Sequence, residues 1–465
     1  LMHEEQLMHR EERSHFIGVG GAGMNGIAEV LFNIGYLISG SDVMASSVTQ
    51  HLKNIGIKVF IGHEEAYVKD VDVVVYSSAI SEGNVELVAA RKNRIPVVPR
   101  AEMLAEIMRF RNGIAVAGTH GKTTTTSLIA SVLSAADLDP TFVVGGLVKS
   151  ANCNARLGTG KYLVAEADES DGSFLFLQPL ISVITNIDAD HLSAYENDYS
   201  QLEQSFLDFS RRLPFYGVAV VCADDKSACC LIDKIHARVI TYGFHDDADV
   251  RAYDVQATKN GESFKVETSD GSFGGAFSLP MLGAHNVQNA TAAIAVALEL
   301  GIEKSSIQRA FQCFEGIDRR FQIYPNVVFE NKSITIVDDY AHHPNELVEV
   351  LKTFQIHWPN NRRIIVFQPH RYTRTRDLFE HFVEVLSSVE RLFILEVYSA
   401  GEKPIEGCDG LSLVKAINSK NQSKTIFVKE LADIENILAD FVDDNDVVAF
   451  LGAGSIGGLS QGFLT

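Results

Sequence analysis

The run Gly118-Thr119-His120-Gly121-Lys122-Thr123-Thr124-Thr125-Thr126 constrains this chain more than any other stretch. It follows a short apolar strand, residues 113–117, and leads into a helix-like run, residues 127–135. A strand, a glycine turn, a lysine followed by a hydroxyl, and a helix are the parts of a nucleoside triphosphate cradle. Glycine lets backbone N–H groups approach phosphate oxygens. The helix N-terminus adds positive potential. Lys122 is expected to reach the β- and γ-phosphates, and Thr123 to ligate Mg2+. The spacing departs from GxxxxGK[ST], because Val116 stands where the first glycine belongs and Gly118 substitutes for it.

A chain of 465 residues has room for about three domains at roughly 150 residues each. Its 46% hydrophobic and 22% charged residues are those of a globular protein with substantial cores. The net charge of -20, with no block of basic residues, argues against nucleic acid or an anionic membrane as main partner. An anionic substrate must therefore be met by local arginine clusters. The six cysteines form no CxxC pair, so neither a zinc site nor a disulfide framework is expected, and a reducing cytoplasm fits. No apolar run reaches the roughly 18 residues of a membrane span. Residues 1–13 are polar and lack the apolar region of a signal peptide, so they read as a frayed, disordered end or an artificial extension.

Strands near residues 15–19, 36–39, 58–61, 71–76 and 96–98 alternate with helices, which predicts a doubly wound, Rossmann-like α/β domain over 1–110. A second series starts at Gly113. Its strands 161–166 and 181–185 are apolar until their C-terminal ends, where acids appear, and that is where ligands bind in open α/β sheets. Further strands are expected near 217–222 and 239–242. Residues 250–277 alternate in polarity around Asn260-Gly261 and Asp270-Gly271, the pattern of antiparallel hairpins added at one edge. The central domain is assigned to 111–318, ending after an alanine-rich helix and a polar hinge, Gly316 to Arg320. A third α/β series, strands 334–337, 363–367, 391–395, 425–428 and 446–451, makes a C-terminal Rossmann-like domain of 319–465.

Several clusters at these strand ends carry chemistry. Gly18-Val19-Gly20-Gly21-Ala22-Gly23 satisfies GxGxxG after a strand, with Asp42 about 20 residues on, which fits a diphosphate nucleotide with Asp42 on a ribose. Gly452 to Gly457 repeats the pattern without a following acid and reads as a tight βα turn. Glu166-Ala167-Asp168-Glu169-Ser170-Asp171 ends a strand beside the phosphate loop. Glu166, the first acid to emerge, is the expected Mg2+ ligand, against the alternative of a solvated acidic turn. His191, after the next strand, is either a loop residue or a second-metal or phosphate contact. Asn286 is either a helix N-cap or, with Asn289, a reader of the adenine edge. Arg319 and Arg320 could meet a γ-phosphate or be an ordinary solvated pair. Asp338-Asp339-Tyr340-Ala341-His342-His343-Pro344 and the cationic tip His370-Arg371-Tyr372-Thr373-Arg374 end two strands of the third domain; the tip suits a carboxylate or phosphate.

Taken together, GVGGAGM, GTHGKTTTT, EADESDGSF, TNIDADH, LGAHNVQNATAA, GIDRRF, DDYAHHPNE and FQPHRYTRTRDLF resemble the Mur ligase family, over nearly the whole chain from His15 on. The resemblance implies a UDP-binding domain, a central P-loop ATPase-type domain and a mobile amino-acid-binding domain. It is nearest to the member that joins L-alanine to the lactyl carboxylate of UDP-N-acetylmuramate. ATP would form an acyl phosphate, the amine would attack, and a tetrahedral intermediate would collapse to amide, ADP and phosphate. Carried over, Gly118, Thr119, His120, Gly121, Lys122, Thr123 and Thr124, with Asn286, Asn289 and Asp339, would hold ATP. Thr123, Glu166 and His191 would bind Mg2+. Gly20, Gly21, Gly23 and Met24, with Asp42 and Ser77, would hold the UDP-sugar. Tyr340, His342, His370, Arg371 and Arg374 would surround the alanine and the acyl phosphate, and Arg319 and Arg320 would approach the phosphates. Some relatives carry a carbamylated lysine, but residues 188–197 contain no lysine, so none is expected here. The resemblance further implies a cytoplasmic enzyme, monomeric or weakly dimeric, without nucleic acid or membrane insertion. The rivals are a sister ligase that recycles a peptide onto UDP-N-acetylmuramate, a nicotinamide-dependent oxidoreductase built on the first glycine turn, and a nucleotide-gated binding protein without catalysis.

Overall fold

The computed structural model describes residues 13–463 apart from 22, 78, 150–152, 191, 197, 259–260 and 421–424. The first sheet holds β1 (Arg13–Ile17), β2 (Leu37–Asp42), β3 (Lys58–Ile61), β4 (Val73–Tyr76) and β5 (Val97–Pro99). Its order is β3-β2-β1-β4-β5 and every pairing is parallel, as the alternation of strands and helices requires.

The central sheet holds β6 (Asn112–Ala117), β7 (Thr141–Val148), β8 (Cys153–Arg156), β9 (Tyr162–Glu166), β10 (Ile181–Ile184), β11 (Val218–Cys222), β12 (Arg238–Gly243), β13 (Val250–Thr258), β14 (Gly261–Thr268) and β15 (Gly274–Leu279). The order is β15-β14-β13-β12-β11-β10-β6-β9-β7-β8. The added strands β13 to β15 lie at one edge, as the turn signals predict. The opposite edge carries an antiparallel β7–β8 hairpin that the sequence reading missed. The first two sheets share a core: Phe16, Ile27 and Leu31 pack in one cluster with Ala155, Leu163 and Ala165. Asn154 Nδ2 donates to Asn25 Oδ1 at 2.9 Å across this seam.

By contacts the chain divides into two compact units. The first comprises residues up to Asp254 with Phe264–Ser278 and Val287–Glu315. The second comprises Gly316–Thr465 together with Val255–Ser263 and Leu279–Asn286. The second unit is built on β16 (Gln322–Phe329), β17 (Lys332–Asp339), β18 (Arg363–Phe367), β19 (Arg391–Leu395), β20 (Ile426–Val428) and β21 (Val447–Leu451), in the order β16-β17-β21-β18-β19-β20. β16 pairs antiparallel with β17, so this sheet is mixed rather than purely parallel. The two inserted segments are bound into this unit. Leu282 packs in its core with Phe321 and Phe354. Glu262 lies 3.2 Å from His357, both nearly inaccessible, and accepts the Gly283 N–H at 2.9 Å.

Candidate active site

In the first unit, β6 ends at Ala117 and the chain turns at Gly118, whose φ is 136°. A Cβ there would overlap the Thr185 hydroxyl, so glycine is required by both backbone and space. The loop is moulded by the residues that follow β10. Thr119 N donates to Asn186 O at 3.1 Å, His120 N to Asn186 Oδ1 at 2.8 Å, and Asn186 Nδ2 to His120 O at 3.0 Å. The Thr185 hydroxyl donates to His120 O at 2.6 Å, and His120 Nε2 lies 3.4 Å from Asp188 Oδ2.

The helix begins at Lys122, earlier than the sequence reading placed it, and takes in all four threonines. Thr126 Oγ1 donates to Lys122 O at 2.8 Å and Ser127 Oγ to Thr123 O at 2.8 Å. These bonds back to the preceding turn let buried hydroxyls sit inside a helix. Thr125 Oγ1 donates to Asn289 Oδ1 at 3.2 Å, and that oxygen would lie 2.6 Å from a Cβ at Gly121. Asn289 therefore backs the loop.

Lys122 Nζ donates to Gly118 O at 2.6 Å and Thr119 O at 3.1 Å, and lies 2.8 Å from Glu169 Oε2. Burial alone would pull the lysine pKa down, but Glu169, Asp168 and Glu166 outweigh it and hold it above the ordinary value. Burial pushes Glu169 up to about 7, against the pull of Lys122 and with the help of Asp168. Asp168, whose side chain is 37% exposed, falls to about 2, because Lys122, Arg100 and the Ser170 hydrogen bonds overcome its partial desolvation. Sequence reasoning singled out Glu166 and missed Glu169. Glu166 instead accepts the Gly145 N–H at 2.7 Å, at the end of the strand beside β6. Thr123 is 8% exposed. His191 lies outside the described residues.

The first glycine turn rests on the end of β2. Gly18 N and Val19 N donate to Ser41 O at 2.8 and 3.0 Å, and Gly20 N donates to Asp42 Oδ2 at 2.8 Å. Gly21 N donates to Gly18 O at 3.0 Å, and Gly23 caps the helix Met24–Ile34. An Arg100 guanidinium nitrogen would lie 2.6 Å from a Cβ at Gly23, and Arg100 pairs with Asp168 at 3.1 Å. Met24 is fully buried and its N–H is spent on Gly21 O, so its side chain is part of the core. Ser77 Oγ, after β4, accepts the Ala79 N–H at 3.3 Å.

In the second unit, the ends of β17, β18 and β21 come together. Arg319 ion-pairs Asp338 at 3.3 Å and donates to Gly452 O. Its guanidinium occupies the space a Cβ at Gly457 would take. The C-terminal glycine turn is thus shaped around an arginine. Both Arg319 and Arg320 lie over the Tyr340 ring, at 5.2 and 5.1 Å. Asp339 accepts the Phe321 and Ala341 N–H groups, each at 2.7 Å, and burial raises its carboxyl to about 6 despite Arg320. His342 Nδ1 lies 3.0 Å from Tyr340 O, and its ring meets that of His370 edge-on at 5.8 Å. His370 stacks on Tyr398 at 5.4 Å and lies 3.4 Å from Arg374, which is 7% exposed. Arg371 pairs with Glu402 at 3.7 Å. Tyr398 carries no sequence motif and was missed. Asn286 sits in the first turn of the helix Ala284–Glu299 and not at its N-cap, and its amide donates to Leu282 O at 2.8 Å. This removes the N-cap reading.

Three family models match in order: "Mur ligase family, catalytic domain" over residues 13–112, "Mur ligase middle domain" over 116–297, and "Mur ligase, glutamate ligase domain" over 319–454. The UDP-N-acetylmuramate–L-alanine ligase of Methylococcus capsulatus is 53% identical over 454 residues, covering 98% of this chain and 96% of the relative. The protein of the same name from Halorhodospira halophila is 52% identical over 451 residues, covering 97% and 92%. Among solved structures, the UDP-N-acetylmuramate–alanine ligase of Thermotoga maritima superposes with a TM-score of 0.83 at 30% identity, covering 97% of this chain and 98% of that one. With three consecutive domain models and full-length relatives above half identity, the chain belongs to the Mur ligase family.

Proposed function

We propose that this protein joins L-alanine to the lactyl carboxylate of UDP-N-acetylmuramate at the expense of ATP, giving UDP-N-acetylmuramoyl-L-alanine, ADP and phosphate for peptidoglycan precursor synthesis. The observation that carries this reading is Lys122, held by a moulded loop beside the buried Glu169 carboxylate, in a chain 52–53% identical to ligases of that name. The lysine would exchange Glu169 for the β- and γ-phosphate oxygens and balance charge as the carboxylate attacks the γ-phosphorus. Mg2+ suits the donor set, since the Thr123 hydroxyl and the Glu166 carboxylate are hard oxygen ligands, with His191 as a further ligand. Bound there, the ion would neutralise phosphate charge.

In the second unit, the cationic and aromatic groups His342, His370, Arg371, Arg374 and Tyr340 suit an amino acid carboxylate and the oxygens of a tetrahedral intermediate. Arg319 and Arg320, fixed over Tyr340, suit the transferring phosphate. The glycine turn over residues 18–23, with Asp42 and Ser77, suits the UDP portion. Asn286 and Asn289 suit the adenine edge. Unpaired thiols at all six cysteines accord with work in the cytoplasm, and among the described residues no helix is long and apolar enough to cross a membrane. We expect a monomer or a weak homodimer.

The test is ADP release with UDP-N-acetylmuramate and each candidate acceptor. Release with L-alanine is expected. Release with a tripeptide but not with L-alanine would transfer the chain to the peptide-recycling branch.

A further inference from the structure

One group of titratable side chains, buried except where His63 reaches the surface, takes no part in the chemical steps of the proposed reaction. Glu86, on the helix Val85–Lys92, is 0% exposed. Its Oε2 lies 2.8 Å from His15 Nε2 and accepts the Ser41 hydroxyl at 2.8 Å, and its Oε1 lies 2.9 Å from His63 Nδ1. His15 Nδ1 in turn lies 2.8 Å from the Ser39 hydroxyl. A buried carboxylate costs desolvation energy that an apolar core would not, so its position needs a reason beyond packing.

The position supplies one. Ser41, whose hydroxyl bonds Glu86, is the residue whose carbonyl accepts Gly18 N and Val19 N of the first glycine turn. Gly62, next to His63, donates to Asp42 O at 2.8 Å, and Asp42 holds Gly20 N. The network therefore underlies the turn at the C-terminal ends of parallel strands, where ligands bind. His63 is the member that reaches the surface, with 16% of its side chain exposed against 0% for His15 and Glu86.

The hydrogen bonds also fix protons. Burial would raise the Glu86 carboxyl, but His15, His63 and Ser41 hold it below the ordinary value, so it stays an acceptor. His63 must then carry its proton on Nδ1. With that one proton on the ring, Nε2 is a hydrogen-bond acceptor. We infer that His63 Nε2 accepts a hydrogen bond from the uridine portion of the substrate, a uracil imide N–H or a ribose hydroxyl, and that Glu86 is the positioning residue that sets this tautomer. The inference rests on assigning the first domain to the UDP-sugar.

The full chain is measured at pH 8.5. Nitrogen-15 NMR should show the His63 proton on Nδ1, shifting toward Nε2 in Glu86→Gln, whose amide can donate to the ring. Glu86→Gln should raise KM for UDP-N-acetylmuramate about tenfold, the worth of one hydrogen bond, with kcat and the KM for ATP within twofold. His63→Phe, at a half-buried surface position, keeps the ring volume and removes the acceptor. By calorimetry it should weaken UDP and uridine monophosphate alike, again about tenfold. Wild-type affinity in both variants, or a wild-type proton on Nε2, overturns the inference. A loss with UDP that is absent with uridine monophosphate also overturns it, because the contact would then be to the diphosphate. If the unaltered protein binds no UDP, the first-domain assignment itself fails, which is a different result from intact binding in the variants.

Discussion

Lys122 Nζ lies 2.8 Å from Glu169 Oε2, so the lysine that should meet the phosphates of ATP is held by a carboxylate until they arrive. Nucleotide must break this pair, and burial of Glu169 ties its strength to pH. Burial raises the Glu169 carboxyl to about 7. A raised carboxyl favours the folded state at low pH, and that contribution is lost as pH rises through about 7. Lowering the pH through the same range releases Lys122. We expect Glu169→Gln to bind ADP several-fold more tightly than the parent at pH 8, with the difference closing near pH 6. Calorimetric titration of both proteins across that range checks this, and using the ratio cancels the titration of ADP itself. A constant ratio would refute it.

Gly118→Ala should disable the loop. The new methyl would overlap the Thr185 hydroxyl, at a φ of 136° that alanine does not tolerate. We expect destabilisation of about 1–3 kcal/mol and loss of the thermal shift that ATP gives the parent. Thermal melts with and without ATP read both effects, while the shift given by UDP should survive.

Gly457→Ala probes the last glycine of the C-terminal turn, far along the chain from the phosphate loop. Its methyl would take the space of the Arg319 guanidinium and displace it from Asp338 and the Gly452 carbonyl. We expect kcat to fall at least tenfold with KM for UDP-N-acetylmuramate unchanged, seen by steady-state ADP release. An unchanged kcat would show that Arg319 only braces the C-terminal turn.

Tyr398 lies parallel to His370, with ring planes 11° apart. Tyr398→Phe keeps the stack and should leave the reaction near the parent level. Tyr398→Ala removes it and should raise KM for L-alanine about three- to tenfold, in line with the roughly 0.5–1.5 kcal/mol of an aromatic pair. Saturation curves in L-alanine at fixed ATP distinguish the two.

The chemistry-bearing strand ends were legible because they are local. GTHGKT after an apolar strand specifies its own turn, and the acids and histidines stand at the C-terminal ends of predicted strands. What escaped was set by partners distant in sequence. Glu169 is one acid among several in EADESD, and only tertiary packing makes it the buried one facing Lys122. Tyr398 reaches His370 through an isolated bridge between two loops. Two strands were hidden by their own punctuation. β7 contains Gly145-Gly146, which reads as a break. β16 contains Pro325-Asn326, which reads as a turn. The structure accommodates that pair at a register shift between Tyr324 and Val327, on an edge strand where a missing N–H costs little.

The segments 255–263 and 279–286 belong by contact to the C-terminal unit, through the Glu262–His357 pair and the burial of Leu282. The modules that fold together are therefore not the modules that a cut in the chain would separate. A chimera joined to a relative's C-terminal domain at Gly316 would leave Glu262 and Leu282 behind and deprive the nearly inaccessible His357 of its carboxylate partner. Exchange of parts between such ligases, in the laboratory or by recombination, should succeed only when those two segments travel with the domain that they complete.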